Sequence, residues 1–262
     1  MERISNLLPQ NLQHLALSSE DLLRLKIDFI NKNPGDLTGY DCKKCLNKGY
    51  TAEVRDDTEF MVQCECVKIR ETLKRIERSG LKERLHDCTF DKFETPDDWQ
   101  RKLKAAVIEF VKEYKGKWLF IGGQSGSGKT HLCTAAVGKL ILAGNSAKYM
   151  LWREDSVRLK HKVNSDDYEK DISEYQKTDI LYIDDLFKGN VTYADIQLAF
   201  QIIDYRGNNK LTTVISSEMT VEDITEADEA LGGRIAEMAG KFMLNIQRDR
   251  KRNYRFRKGT LK

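Results

Sequence analysis

Eight consecutive residues, Gly123, Gln124, Ser125, Gly126, Ser127, Gly128, Lys129 and Thr130, have the types and spacing that hold a chain of phosphates. Gly123, Gly126 and Gly128 admit backbone conformations closed to residues with a side chain, so successive amide N–H groups can turn inward on an anion. Lys129 is then suited to reach the β- and γ-phosphates as a point charge, and Thr130 to offer its hydroxyl to Mg²⁺. The helix that starts there adds the positive end of its dipole. About fifty residues on, Asp179-Ile180-Leu181-Tyr182-Ile183-Asp184-Asp185 reads as an apolar strand emerging at two carboxylates, a Walker B pattern. Asp184 suits the retention of Mg²⁺ through its water shell, and Asp185 the polarisation of an attacking water. Either run alone is common. In this order they point to nucleoside triphosphate hydrolysis, with ATP and Mg²⁺ as the expected ligands.

A second constellation lies upstream. Cys42 and Cys45, followed after eighteen residues by Cys64 and Cys66, supply four soft thiolates, which suits a tetrahedral, structural Zn²⁺ with no position open for chemistry. Gly49 follows the first pair where a tight turn is needed. Cys133 falls on the apolar side of the helix after Thr130 and reads as core packing, and Cys88 and His86 are not assigned to the metal.

These groups need a scaffold. Trp118 to Ile121 is a short apolar run of the kind that forms a buried strand, and His131 to Leu142 has helical apolar spacing closed by Ala143-Gly144. From Trp99 onward helical and short apolar segments alternate, with strands expected at 117–121, 147–151, 179–183, 212–216 and 242–246. That alternation predicts an α/β fold in which a mostly parallel sheet is covered by helices. Before it come a helix capped by Ser18 or Ser19 and ended by Pro34-Gly35, the cysteine segment, and a charged amphipathic helix broken near Ser79-Gly80. The expected domains are 1–86, helical and zinc-binding; 87–98, a linker marked by Pro96 and several acids; and 99–262, the nucleotide-binding domain with a basic tail.

The chain has 262 residues, 40% of them hydrophobic and six of them cysteine. No apolar run approaches the roughly 20 residues needed to cross a bilayer, and the start MERISNLLPQ lacks the features of a secretory signal. The expectation is a cytoplasmic protein with no membrane partner, whose paired cysteines bind metal and do not form disulfides. The net charge of +3 is unevenly spread, because residues 248–262 carry eight Lys/Arg against one Asp. Tyr254 and Phe256 interleave with these arginines, a combination suited to phosphate neutralisation and base stacking on single strands.

The stretch GGQSGSGKTHLCTAAVGKLILAG with AKYMLWREDSVRLK, then DILYIDDLFKG and FQIIDYRGNNKLTTVISSE, resembles the AAA+ ATPases of the DnaC/DnaI type, which load replicative helicases in bacteria and their phages. The resemblance covers most of the chain. The cysteine pairs with Gly49-Tyr50 look like the zinc-binding N-terminal region of DnaI-like loaders, and Thr89-Phe90-Asp91-Lys92-Phe93 resembles their lead-in to the ATPase domain. It implies an AAA+ P-loop fold preceded by a small zinc-binding domain, and ATP hydrolysis coupled to protein assembly during DNA replication initiation. The implied partners are a hexameric replicative helicase, single-stranded DNA and further copies of the chain. The pair Thr130-His131 is typical of that clade, which adds His131 to the nucleotide site. Arg234, in Leu231-Gly232-Gly233-Arg234-Ile235, sits where the family has an arginine finger acting on a neighbouring subunit's γ-phosphate, and Arg255 resembles the later sensor 2 arginine.

Two positions depart from the pattern. Sensor 1 usually carries an asparagine where this chain has Ser216-Ser217-Glu218. An ionised carboxylate there cannot donate to the γ-phosphate and would repel it, so either Ser217 substitutes or hydrolysis is slow. The second Walker B acid is Asp185, one methylene shorter than Glu. Rival readings are an IstB-like transposition helper, which shares nearly all these motifs, a P-loop small-molecule kinase, and a module that holds ATP without turning it over.

Overall fold

Short segments rich in apolar and β-branched residues suit the strands of a covered parallel sheet, and five of them form the centre of the computed structural model, which describes residues 18–257. They are β3 (Trp118–Gly123), β4 (Ala147–Leu151), β5 (Ile180–Leu186), β6 (Thr212–Ser217) and β7 (Met243–Ile246), all parallel where they pair and ordered β4-β5-β6-β3-β7. These are the five segments expected from the sequence, shifted by no more than three residues at any end. Their side chains alternate between two apolar layers. Leu119, Ile121 and Tyr182 pack with Leu103, Val107 and Phe110 of α4 (Asp98–Glu113) and with Leu132, Val137 and Leu140 of α5 (Lys129–Leu142). Trp118, Phe120, Leu181 and Ile183 face the opposite layer. That layer is built from α6 (Trp152–Lys162), α7 (Tyr168–Lys177), α8 (Tyr193–Asn208), α9 (Val221–Ala227) and α10 (Glu229–Ala239). Removing one of these side chains, as in Ile183→Ala, costs about 2–5 kcal/mol.

Two compact units divide between Leu73 and Lys74. In the first, α1 (Ser19–Lys32) begins at Ser18, whose hydroxyl accepts from Asp21 N in a capping box. The antiparallel hairpin β1 (Tyr50–Arg55) and β2 (Thr58–Gln63) turns through Asp56 and Asp57, both at positive φ (47° and 55°) as a tight two-residue turn requires. Asn31 fixes α1 to this hairpin by bonding both the N–H and the carbonyl of Ala52. The next helix, α2 (Cys66–Ser79), opens on a cysteine of the cluster and runs across the division.

In the second unit Gly80 (φ 77°) breaks α2 from the short α3 (Lys82–Asp87), with Leu81 fully buried between them. Residues 87–98, expected as a linker, are part of this unit's core: Phe90 and Phe93 are both buried in the layer formed by α4 and α5. Pro96 and the acids mark only their exposed side.

Candidate functional site

Gly123 to Gly128 leave the C-terminal end of β3 and enter α5 in a loop with φ of 104°, 72° and 89° at its three glycines. Two of them have no room for a side chain: a Cβ on Gly123 would lie 2.1 Å from the Ile246 carbonyl oxygen, and one on Gly128 2.6 Å from the Phe93 ring. The loop borders a cavity of about 430 Å³. Ser125, Gly126, Ser127, Gly128, Lys129, Thr130 and His131 line it together with Asp185 and Glu218. Gln124 lies beside it, with its side-chain oxygen accepting from Asp249 N. The buried Lys129 ammonium donates to the carbonyls of Gly123 and Gln124 at 2.8 and 2.7 Å. Burial pulls its pKa below the usual lysine value, with the carboxylates of Glu218 and Asp185 opposing.

Asp184 is 1% exposed and accepts from a ring of donors. Thr130 Oγ1 reaches Oδ1 at 2.9 Å, with the hydroxyls of Tyr182 at 2.8 Å and Ser216 at 2.6 Å on the same oxygen. On Oδ2 are Tyr149 OH and Arg84 Nη1, both at 2.9 Å. Burial and the neighbouring carboxylate push the Tyr149 and Tyr182 phenols well up, so both remain hydrogen-bond donors. The register of β5 on β6 is interrupted between Ile183 and Leu186, and Asp185 takes φ 58° within that irregularity. A bulge of this kind turns a side chain out of the alternating pattern. Asp185 accordingly faces the cavity, where its Oδ2 accepts from Lys188 Nζ at 2.7 Å.

The structure therefore brings the loop, Thr130, Asp184 and Asp185 to one place. Thr130 and Asp184 juxtapose a hydroxyl and a carboxylate, the hard oxygen ligands that Mg²⁺ takes. His131, besides lining the cavity, has its Nε2 against the Thr89 carbonyl at 2.7 Å and its ring edge-on to Phe93, tying the segment before α4 to the loop. Ser217 does not take the missing sensor position, since its hydroxyl donates to the Leu186 carbonyl at 2.7 Å and accepts from Met219 N. Arg234 lies on α10 against α8, bonded to Asp204, Asn208 and Glu237, and is not among the residues lining the cavity. Arg255 falls in α11 (Tyr254–Arg257), with its side chain outside the described part of the structure, as is the tail beyond Arg257. Tyr254, read from the sequence as a base-stacking residue, lines the cavity and donates to Glu94 Oε2 at 3.0 Å.

Sequence reasoning missed Arg84, Tyr149, Tyr182, Ser216 and Lys188. Tyr182 alone carried a signal, being two residues before Asp184 on a strand and so on the same face.

In the first unit the four sulfur atoms of Cys42, Cys45, Cys64 and Cys66 lie within 4.8 Å of one another, all buried. Cys42 to Cys64 is 3.7 Å and Cys45 to Cys66 is 3.4 Å. A tetrahedral zinc with bonds of about 2.3 Å sets its sulfurs roughly 3.8 Å apart, so the cluster fits that ion. Burial raises the Cys45 thiol, but the Gly49 N–H and the neighbouring thiols outweigh it and hold Cys45 down to about 6. Asn47 and Arg70 brace the knuckle: Asn47 Oδ1 accepts from Cys42 N and Arg70 Nη2, each at 2.8 Å.

Comparison with known proteins gives this geometry a setting. The chain is 34% identical over 205 residues to YqaM of Bacillus subtilis (strain 168), a protein without an assigned activity; the alignment covers 73% of this chain and 65% of YqaM, just under two thirds of that relative. It is 23% identical to the replicative helicase loader DnaC of Buchnera aphidicola subsp. Acyrthosiphon pisum over 97% of this chain and 94% of that one. The crystal structure of the DnaC helicase loader shares its fold, with a TM-score of 0.55 at 23% identity over 64% of this chain and 99% of that structure. A model of the family described as IstB-like ATP binding protein matches residues 54–236, which takes in the loop, both acids and four of the five strands, β3 to β6, of the sheet that carries them. On that match the chain belongs to the IstB-like ATP binding proteins, AAA+ ATPases of the IstB/DnaC kind.

Proposed function

We propose that this ATPase loads a replicative DNA helicase onto single-stranded DNA. The observation that carries the proposal is the likeness to DnaC along 97% of the chain, which takes in the cysteine-bearing unit as well as the ATPase unit. The family model, by contrast, begins at residue 54, after Cys42 and Cys45. In this reading ATP lies on Gly123 to Thr130 with Lys129 on its β- and γ-phosphates. Thr130 and Asp184 hold Mg²⁺, which would neutralise phosphate charge when bound, and Asp185 orients the attacking water. Arg234 acts on the nucleotide of a neighbouring copy and Arg255 on that of its own. Zn²⁺ on the four cysteines staples the first unit, which docks on the helicase, while the second unit, from Lys74 on, drives the rearrangement and touches DNA through the basic tail. The proposed setting is the cytoplasm; among the described residues no helix is long and apolar enough to cross a membrane.

The family match also favours a second reading, a transposition helper of the IstB kind, which would need the same ATP site but a transposase as partner. Light scattering on the full-length chain mixed with the hexameric replicative helicase of its source, with and without ATP, separates the two. A defined, ATP-dependent complex is expected. Absence of any complex at micromolar concentrations, with ATP still hydrolysed, would favour the transposition reading.

A further inference from the structure

Lys188 closes the turn after the acid pair, and no motif gave it a role. Its Nζ, 2.7 Å from Asp185 Oδ2, lies 3.4 Å from Glu218 Oε1, in the wall of the cavity that holds Lys129. The turn that delivers it is firmly fixed. Asp185 and Phe187 both take left-handed φ (58° and 60°), and Lys188 N donates back to the Asp185 carbonyl at 3.0 Å. Phe187 is buried edge-on against Trp152, ring centroids 5.4 Å apart. Two non-glycine residues persist in that region only where their surroundings over-determine it, and such places cluster at functional sites.

Glu218 stands where a hydrogen-bond donor to the terminal phosphate is needed, and Ser217 is committed elsewhere. Burial raises the Glu218 carboxyl, but the Ser125 hydroxyl and the ammonium groups of Lys188 and Lys129 outweigh it, so the group stays ionised. The cavity thus carries a carboxylate in place of a donor, with an ammonium paired to it.

We infer that Lys188 is a catalytic residue: oriented by Glu218, its ammonium donates to the terminal phosphate of ATP and leaves Asp185 free to orient the water. The lysine–glutamate pair then does the work of the sensor asparagine. An ammonium already held between two carboxylates has little to lose by moving one contact to a phosphate oxygen, a stronger acceptor of charge-assisted hydrogen bonds. The inference rests on the reading of the cavity as the ATP site.

The test uses the full-length chain with Lys129→Ala, Lys188→Ala, Lys188→Arg and the double variant Lys188→Ala/Glu218→Asn. It measures phosphate release, and equilibrium affinity for ADP and for a non-hydrolysable ATP analogue. For Lys188→Ala, kcat should fall about 100-fold, as for loss of one transition-state donor. Affinity for the analogue should fall roughly 10-fold while that for ADP holds within about threefold, which also certifies a folded site. Lys188→Arg should keep part of the turnover, and adding Glu218→Asn to Lys188→Ala should restore about 10-fold by supplying a neutral donor. A Lys188→Ala variant with kcat within about threefold of wild type, or above it, and an unchanged preference for the analogue over ADP would overturn the inference. Hydrolysis that persists in Lys129→Ala would instead sink the ATP-site reading itself. Should the wild type turn over too slowly to compare, the analogue-to-ADP preference decides the role of Lys188 without it.

Discussion

Asp184 draws its donors from five places in the second unit: Arg84 on α3, Thr130 on α5, Tyr149 on β4, Tyr182 on β5 and Ser216 on β6. A buried carboxylate needs such company, because an ion without partners is far too costly to desolvate. Four of these donors are neutral hydroxyls, so the charge is balanced by Arg84, which also lies over the Tyr149 ring at 5.1 Å. Arg84→Ala should therefore destabilise the chain by about 1–2 kcal/mol in urea unfolding. The lower end of the usual range for bonds to charged groups applies because the guanidinium side chain is 40% exposed and screened by water. A change below roughly 0.3 kcal/mol would mean that the hydroxyls alone hold Asp184. None of this was visible in the residues around position 84, which read as a charged helix. The contact joins positions a hundred residues apart, and only the topology brings them together.

At the scale of elements, legibility followed locality. The phosphate loop, its helix and the acid-bearing strand each signal within one short stretch, and fully buried parallel strands announce themselves as unbroken apolar runs such as Trp118 to Ile121. The segment 87–98 misled because its composition is that of a linker, while two aromatic residues, Phe90 and Phe93, decide its packing. Arg206 is another such case. It is fully buried on α8, where it donates to the carbonyls of Tyr175, Gln176 and Thr178 and to Thr213 Oγ1, tying the end of α7 to β6. The cysteine pairs are legible by spacing, as a metal-binding cluster of thiolates. The first unit buries few apolar side chains besides the four cysteines, so a metal should carry much of its stability. Elemental analysis of the purified chain should find about one zinc per chain. A strong chelator, or Cys45→Ser, should abolish the ordered hairpin while the ATPase unit still melts cooperatively. Because each thiolate must stay deprotonated to bind, zinc should be retained at neutral pH and lost on acidification. Zinc-free protein with full structure in the first unit would contradict the assignment.

At the scale of the whole molecule, two features are consistent with action in company. Arg234 lies outside its own cavity and is bonded to Asp204, Asn208 and Glu237, on the surface made by α8 and α10. The basic residues are concentrated in 248–262, so any contact with single-stranded DNA through them should weaken steeply with salt. Under the proposed function, ATP bound at Lys129 drives transfer of a helicase ring to DNA. The most direct measurement is helicase retained on circular single-stranded DNA after a high-salt wash, with ATP, comparing the wild type with Lys129→Ala. The wild type should transfer the ring and the variant should not, although the variant keeps its fold and zinc. Equal transfer by both, or none by a wild type that hydrolyses ATP and binds the helicase, would contradict that function.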